Sequence, residues 1–287
     1  LGRQAQENIG IRPIADLNEP SPFSRAGPGV RGSIKPDFAD IGGTLIYDGQ
    51  AIALRGGEAR PEAGVVSLHY RPIDRLFATY SGTSYAAPLV AFKASQILAR
   101  FPDASANLVR ALLASSALPP EEALRRLEPL GGRAALDLCG HGLVDAERAS
   151  FSDDARVILY AEDELEIDHF AVYQIPIPDA FQTERGRRTV RVSLAYDPPV
   201  RHSRLDYNGV SMGFRLIRGC EPDLIFEHFR QRTAEEGPFP RVENRYNCDL
   251  SPSSTIREKS SLQTASVTFS RDIQQYGDNY YLVVRCA

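Results

Sequence analysis

Lysine is nearly absent from this chain. Lys35, Lys93 and Lys259 are its three lysines, so almost all of the 33 basic residues are arginines. That skew reads as genomic base composition rather than as function. No run of Lys and Arg is long enough to build a basic face, and the formal charge is −4 with an isoelectric point near 5.8. Nucleic acid is therefore not an expected partner. Apolar runs are short. None approaches the ~20 residues that cross a bilayer, so no membrane partner is expected. Cysteine is scarce too: Cys139, Cys220, Cys248 and Cys286 form no C-x-x-C pair, so a zinc or thioredoxin-like reading has no support. They either make one or two disulfides in the C-terminal half or sit as scattered buried thiols. Their unpatterned spacing favours thiols and a reducing, bacterial cytoplasmic setting. The chain opens at Leu1 without an initiating Met or a charged-then-apolar leader, and reads as the C-terminal part of something longer.

What is present suffices for a core. Hydrophobic residues make up 43% and charged residues 24% of 287 positions, ordinary values for a globular chain of one or two domains. Residues 1 to about 45 are rich in Pro and Gly and read as loops. Short strands are expected at Thr44–Tyr47, Val65–Tyr70 and Leu76–Tyr80. From Ser84 to about Arg100 the apolar residues Ala87, Val90, Ala91, Ala94, Ile97 and Leu98 recur at helical spacing. A second helix is expected from a Ser105 cap through Leu112, ended by Pro119-Pro120, with a further helical piece over Glu121–Leu127. After about Ser150 the pattern turns to β: Val157–Tyr160, Phe170–Tyr173, Val190–Ala195, Gly213–Ile217, Ala265–Phe269 and Tyr280–Val284. The polar stretch from Arg230 to Lys259 reads as a long loop. These runs predict two domains, residues 1–150 and 151–287, the second an antiparallel β-sandwich or jelly roll.

Ser84 stands out within Gly82-Thr83-Ser84-Tyr85-Ala86-Ala87-Pro88. A serine hydroxyl is a weak nucleophile without local help. Here a strand-like run delivers it through the turn Ser81-Gly82-Thr83 to the start of a helix. Free backbone amides and the positive end of the helix dipole at that point favour negative charge on a carbonyl oxygen under attack. Pro88 fits a helix start, where its missing N–H removes little. Small Gly82, Ala86 and Ala87 allow close packing around the turn.

The stretch Gly-Thr-Ser-Tyr-Ala-Ala-Pro resembles the nucleophile motif of subtilisin-like serine peptidases. Two flanking segments are similar to that family as well: Phe23-Ser24-Arg25-Ala26-Gly27-Pro28 with Lys35-Pro36-Asp37, and the closing Gly140-His141-Gly142-Leu143-Val144-Asp145-Ala146. Together they cover residues 8 to 148. The resemblance implies the later part of an α/β catalytic domain with a parallel sheet, a protein or peptide substrate, and Ser84 as the acylated nucleophile. It also implies an Asp, a His and an oxyanion Asn upstream of Leu1. The missing N-terminal part of the catalytic domain is then an expected partner, and the chain by itself is expected to be nearly inert. Asn8 and Asn18 lie too close to the Phe-Ser-Arg segment to match the oxyanion Asn. His69, the one histidine before Ser84, sits in Val66-Ser67-Leu68-His69-Tyr70 and reads as structural or surface.

Two other readings remain open. An α/β-hydrolase elbow, G-x-S-x-G, is close to Gly82-Thr83-Ser84-Tyr85-Ala86, and His141, His169, His202 and His228 follow it; Ala86 replaces its second glycine. A subtilisin-like scaffold that has lost its catalytic partners would work as a binding module. In the second domain, Val192–Pro199 followed by Asp206-Tyr207 is similar to the β domains appended to many such peptidases. No cofactor is required, although Asp197 and Asp206 could ligate calcium; turn chemistry is the simpler role for both.

Overall fold

A computed structural model of the chain describes residues 10–183, 186–203, 208–230, 242–269, 277 and 279–287. It divides into two compact units, Leu1–Leu159 and Tyr160–Ala287.

The first unit opens with three short strands, β1 (Ile11–Pro13), β2 (Ile46–Asp48) and β3 (Ala53–Arg55), in the order β1-β2-β3. A hairpin follows, β4 (Val65–Leu68) and β5 (Phe77–Tyr80). Five helices complete the unit: α1 (Thr83–Arg100), α2 (Ala106–Ser116), α3 (Glu121–Leu127), α4 (Ala134–Cys139) and α5 (Ala146–Ser150). Ser105 caps α2 as expected, accepting the Leu108 N–H at 3.1 Å. The core unites Ile97 of α1, Leu108, Val109, Leu112 and Leu113 of α2, Val144, and Ala149 of α5. The i, i+3, i+4 spacing of these residues puts each on one face of its helix.

All paired strands here run antiparallel; among the described residues the parallel pairing in this unit is the isolated bridge Ala39–Leu143. The parallel sheet implied by the resemblance is thus not formed by these strands. Parallel neighbours need a crossover of a dozen or more residues, whereas β2–β3 and β4–β5 are joined by four- and eight-residue turns that permit only hairpins.

In the second unit, β6 (Phe170–Ile175), β8 (Met212–Arg218) and β10 (Tyr280–Cys286) form an antiparallel sheet ordered β6-β10-β8. A separate pair joins β7 (Arg188–Ala195) to β9 (Leu262–Phe269). Helix α6 spans Asp179–Thr183, α7 Pro222–Phe229 and α8 Ser254–Arg257. The run Tyr280-Tyr281-Leu282-Val283-Val284 is apolar throughout because central β10 is covered on both faces. Tyr281 and Val283 pack with Ile225 of α7, while Tyr280 and Val284 share clusters with Phe269 and Val192 of the β7–β9 pair. The described residues of this unit hold five strands in two sheets, fewer than the eight of a jelly roll. Buried Arg257 joins the layers: it donates to the carbonyls of Phe214 at 2.7 Å and Pro252 at 3.0 Å, with its guanidinium 4.5 Å over the Phe214 ring.

Several expectations are corrected. Val157–Tyr160 forms no strand: no β-bridge to it occurs among the described residues, and the Ile158 N–H donates to the Ser152 hydroxyl at 3.1 Å. The stretch expected as a loop from Arg230 to Lys259 contains α8 and buried Val242; residues 231–241 of it lie outside the described residues. The cysteines, by contrast, are as their spacing favoured: all four are free thiols. Burial pushes the Cys248 thiol up to about 11, because a thiolate there would lose its water.

Candidate active site

The chain reaches Ser84 through β5 and a turn fixed by hydroxyls. Ser81 donates its hydroxyl to the Ala63 carbonyl at 3.0 Å and accepts the Gly57 N–H at 2.8 Å. The Thr79 hydroxyl donates to the Gly57 carbonyl at 2.6 Å. These bonds clamp the 56–64 loop beside the turn. Glycine is needed there for space: a Cβ on Gly57 would lie 2.6 Å from the Gly64 Cα and 2.9 Å from the Tyr80 backbone. On the other side the Gly82 N–H donates to the Gly42 carbonyl at 2.8 Å. Lys93 of α1 pairs with Asp40 at 2.6 Å, tying the helix to the same segment.

Gly82 is the N-cap of α1, Thr83 its first residue and Ser84 its second, on an exposed surface. Four amides at a helix start lack intrahelical acceptors. Gly82 spends its N–H on Gly42 and Tyr85 donates to Gly82 at 3.1 Å. Thr83 and Ser84 are left as the two amides without a backbone acceptor among the described residues. The Tyr85 ring stacks on Tyr80 with centroids 5.3 Å apart and planes 2° from parallel. Burial, then the nearby Tyr80 and Glu58, raise the Tyr85 phenol above its ordinary value, so it stays neutral.

Pro88 sits deeper than the sequence suggested. It is the sixth residue of α1, so its missing N–H would have served the Ser84 carbonyl four residues back. That carbonyl loses its helical partner at the Ser84 position itself. Ser84 also heads the outward stripe of α1, followed at helical spacing by Ala87, Pro88, Ala91, Phe92 and Ser95, with Phe92 60% exposed. With Ile97, Val90 and Ala94 in the core on the other side, α1 is apolar nearly all round, the pattern of a helix covered on both sides.

The closing motif is structural. Gly140, with φ +60, lies against the backbone carbonyls of Pro36 and Asp37. His141 is buried and donates its backbone N–H to Asp37 at 2.9 Å, Leu143 exchanges two backbone bonds with Leu118, and Asp145 caps α5. The contacts to Pro36 and Asp37 bring together two of the three segments on which the resemblance rests.

No imidazole hydrogen-bonds to Ser84 among the described residues. His69 bonds through its N–H to Leu76 at the far end of the β4–β5 hairpin. Five residue steps along β5 lead from Leu76 to Ser81, about 17 Å at the usual rise. His169, His202 and His228 belong to the second unit. Asp197 follows β7 and Asp206 lies outside the described residues; no group of three metal-type ligands occurs among those described. Asn8 also lies outside them, while Asn18 is described with a positive φ of 64°. The hydroxyl clamps at Thr79 and Ser81 carry no sequence signal, because their partners lie 18 to 24 residues away in a loop of irregular composition.

Residues 3–142 match the profile of the subtilase family, peptidase S8. This segment belongs to the subtilase family. An uncharacterized protein, y4bN, of Sinorhizobium fredii (strain NBRC 101917 / NGR234) is 63% identical to the chain over 279 residues. The match takes in 97% of the chain and 65% of that relative's length. It extends beyond the subtilase segment into the second unit, so the two units occur together in the relative.

Proposed function

We propose that this chain supplies the nucleophile of a subtilisin-type serine endopeptidase, with Ser84 forming the acyl-enzyme on a protein or peptide substrate. The observation that carries the reading is the head of α1. There an exposed serine sits beside the amides of Thr83 and Ser84, at the positive end of an 18-residue helix. Those amides suit the oxyanion of a tetrahedral intermediate. The base that takes the Ser84 proton, the Asp that orients it and a further oxyanion Asn come from the N-terminal part of the catalytic domain. That part covers the outward stripe of α1 and completes a parallel sheet around it. Without it, Ser84 retains only the weak help of its oxyanion donors. The second unit is an appended β-sandwich-like domain.

The elbow reading is disfavoured by geometry. A nucleophile elbow holds its serine in a strained turn, whereas Ser84 is helical and is not among the residues with positive φ. The silent-scaffold reading draws on the absence of an imidazole hydrogen bond to Ser84 among the described residues. Co-expression with the part of the Sinorhizobium relative outside the matched region separates the two. The peptidase reading predicts casein hydrolysis that Ser84→Ala abolishes. A stable complex with no hydrolysis would favour the scaffold.

A further inference from the structure

The β4–β5 hairpin leaves an unusual amount of apolar surface open: Ile73 is 98% exposed, Tyr70 77%, Leu68 68% and Val66 65%, with Phe77 and Leu76 also exposed. Val66, Leu68 and Phe77 lie on the hairpin's strands, whereas Tyr70 and Ile73 lie in the turn at its tip. An isolated two-stranded hairpin is marginal in water. Among the described residues, β4 pairs with β5 alone. Its free edge can be read from the ladder. The His69 N–H bonds to Leu76, in register with Ser67 opposite Ala78 and Val65 opposite Tyr80. Antiparallel ladders alternate, so Val66 and Leu68 turn their N–H and C=O groups to the open side. Natural edges are guarded by charge, proline or a bulge. Val65-Val66-Ser67-Leu68 carries no charge and no proline.

We infer that β4 is the seam of a symmetric dimer, pairing antiparallel with β4 of a second copy about a twofold axis at Ser67. In that register Val66 opposes Leu68 of the second copy and Leu68 opposes Val66, each pair exchanging two backbone hydrogen bonds. Ser67 meets its own counterpart across a pair without such bonds. A twofold interface requires a self-complementary patch, and this edge pairs with itself without leaving an open group unmatched. Phe77, Leu68 and Val66 of the second copy then make one apolar row across a four-stranded sheet, repeated by symmetry. Antiparallel pairing carries the two hairpin tips to opposite ends, so Arg71 and Arg75 do not meet their own copies. The paired residues Val66 and Leu68 belong to β4 and neither of them to α1, so Phe92 on the outward stripe of α1 lies outside the seam.

Sedimentation of the 287-residue chain at tens of micromolar tests this. The expected mass is twice 31.6 kDa, falling to the monomer value in Leu68→Lys, with circular dichroism confirming a retained fold. Phe92→Lys, on the α1 stripe, should remain a dimer. Mild oxidation of Ser67→Cys should give a covalent dimer, since such a pair places its Cα atoms about 4.5 Å apart, within disulfide range. Leu54→Cys, exposed on β3, should not. A monomeric wild type overturns the proposal. So does a dimer dissolved by Phe92→Lys but not by Leu68→Lys, or cross-linking of Ser67→Cys no greater than of Leu54→Cys.

Discussion

Removing the Ser81 hydroxyl tests whether the turn before the nucleophile is held as described. Ser81→Ala deletes two hydrogen bonds at once, but their consequences differ. The Ala63 carbonyl keeps a second donor, the Thr44 N–H at 2.8 Å, so it stays satisfied. The Gly57 N–H is buried and loses its acceptor. A lost bond contributes about 1 kcal/mol and an orphaned buried donor about 1–3 kcal/mol, so the loop should open at a cost lowered by about 2–3 kcal/mol. That corresponds to roughly 30- to 150-fold faster exchange of the Gly57 amide. Thr79→Ser keeps its donor to Gly57 and should change that rate by less than about threefold. Hydrogen exchange read by NMR resolves both. If the Gly57 amide exchanges at the same rate in Ser81→Ala as in the wild type, the clamp does not exist.

Three further outcomes follow from other parts of the chain. Arg257→Leu leaves the Phe214 and Pro252 carbonyls without their charged donor and should destabilise the second unit by about 3 kcal/mol; Arg257→Lys should recover part of that in urea melts. The Arg60 guanidinium holds Asp48 below its ordinary value of 3.8. Its folded value being depressed, its contribution is full above about pH 4 and lost as pH falls through the folded value, so Asp48→Asn should flatten the acid limb of stability measured by calorimetry. Cys248, raised to about 11, should react with iodoacetamide at pH 8 on the order of 100-fold more slowly in the folded chain than in urea.

Much of the helical half was legible because its signals are local. The Ser105 cap, the 3.6-residue spacing of Val90, Ala94 and Ile97, and the Pro119-Pro120 stop each act within a few residues. The second unit's strands at Phe170, Val190, Gly213, Ala265 and Tyr280 were legible as runs of β-branched and aromatic residues. Their pairing was not, because β10 lies between β6 and β8, strands far from it in sequence. Helix α7 was missed although Pro222 at its start and Leu224, Ile225 and Phe229 carry a helical pattern; α4 has six residues and too little periodicity to register. Val157–Tyr160 looked like a strand because composition cannot tell an extended apolar segment from a paired one. At the candidate site, the strand–turn–helix placement of Ser84 was legible from its motif. The depth of Pro88 was not, because it depends on α1 starting at Thr83 rather than later. Of the three lysines, two make short ion pairs in the first unit, Lys35 with Asp37 and Lys93 with Asp40, the second anchoring α1.

Fluorophosphonate labelling tests the central claim most directly. Only a serine activated by a general base reacts quickly with this probe. The account predicts negligible labelling of the 287-residue chain alone. Once the chain is joined to the N-terminal part of its catalytic domain, labelling should be rapid, located at Ser84 by peptide mapping and absent from Ser84→Ala. Rapid, selective labelling of the isolated chain at Ser84, or none in the completed protein, would contradict it.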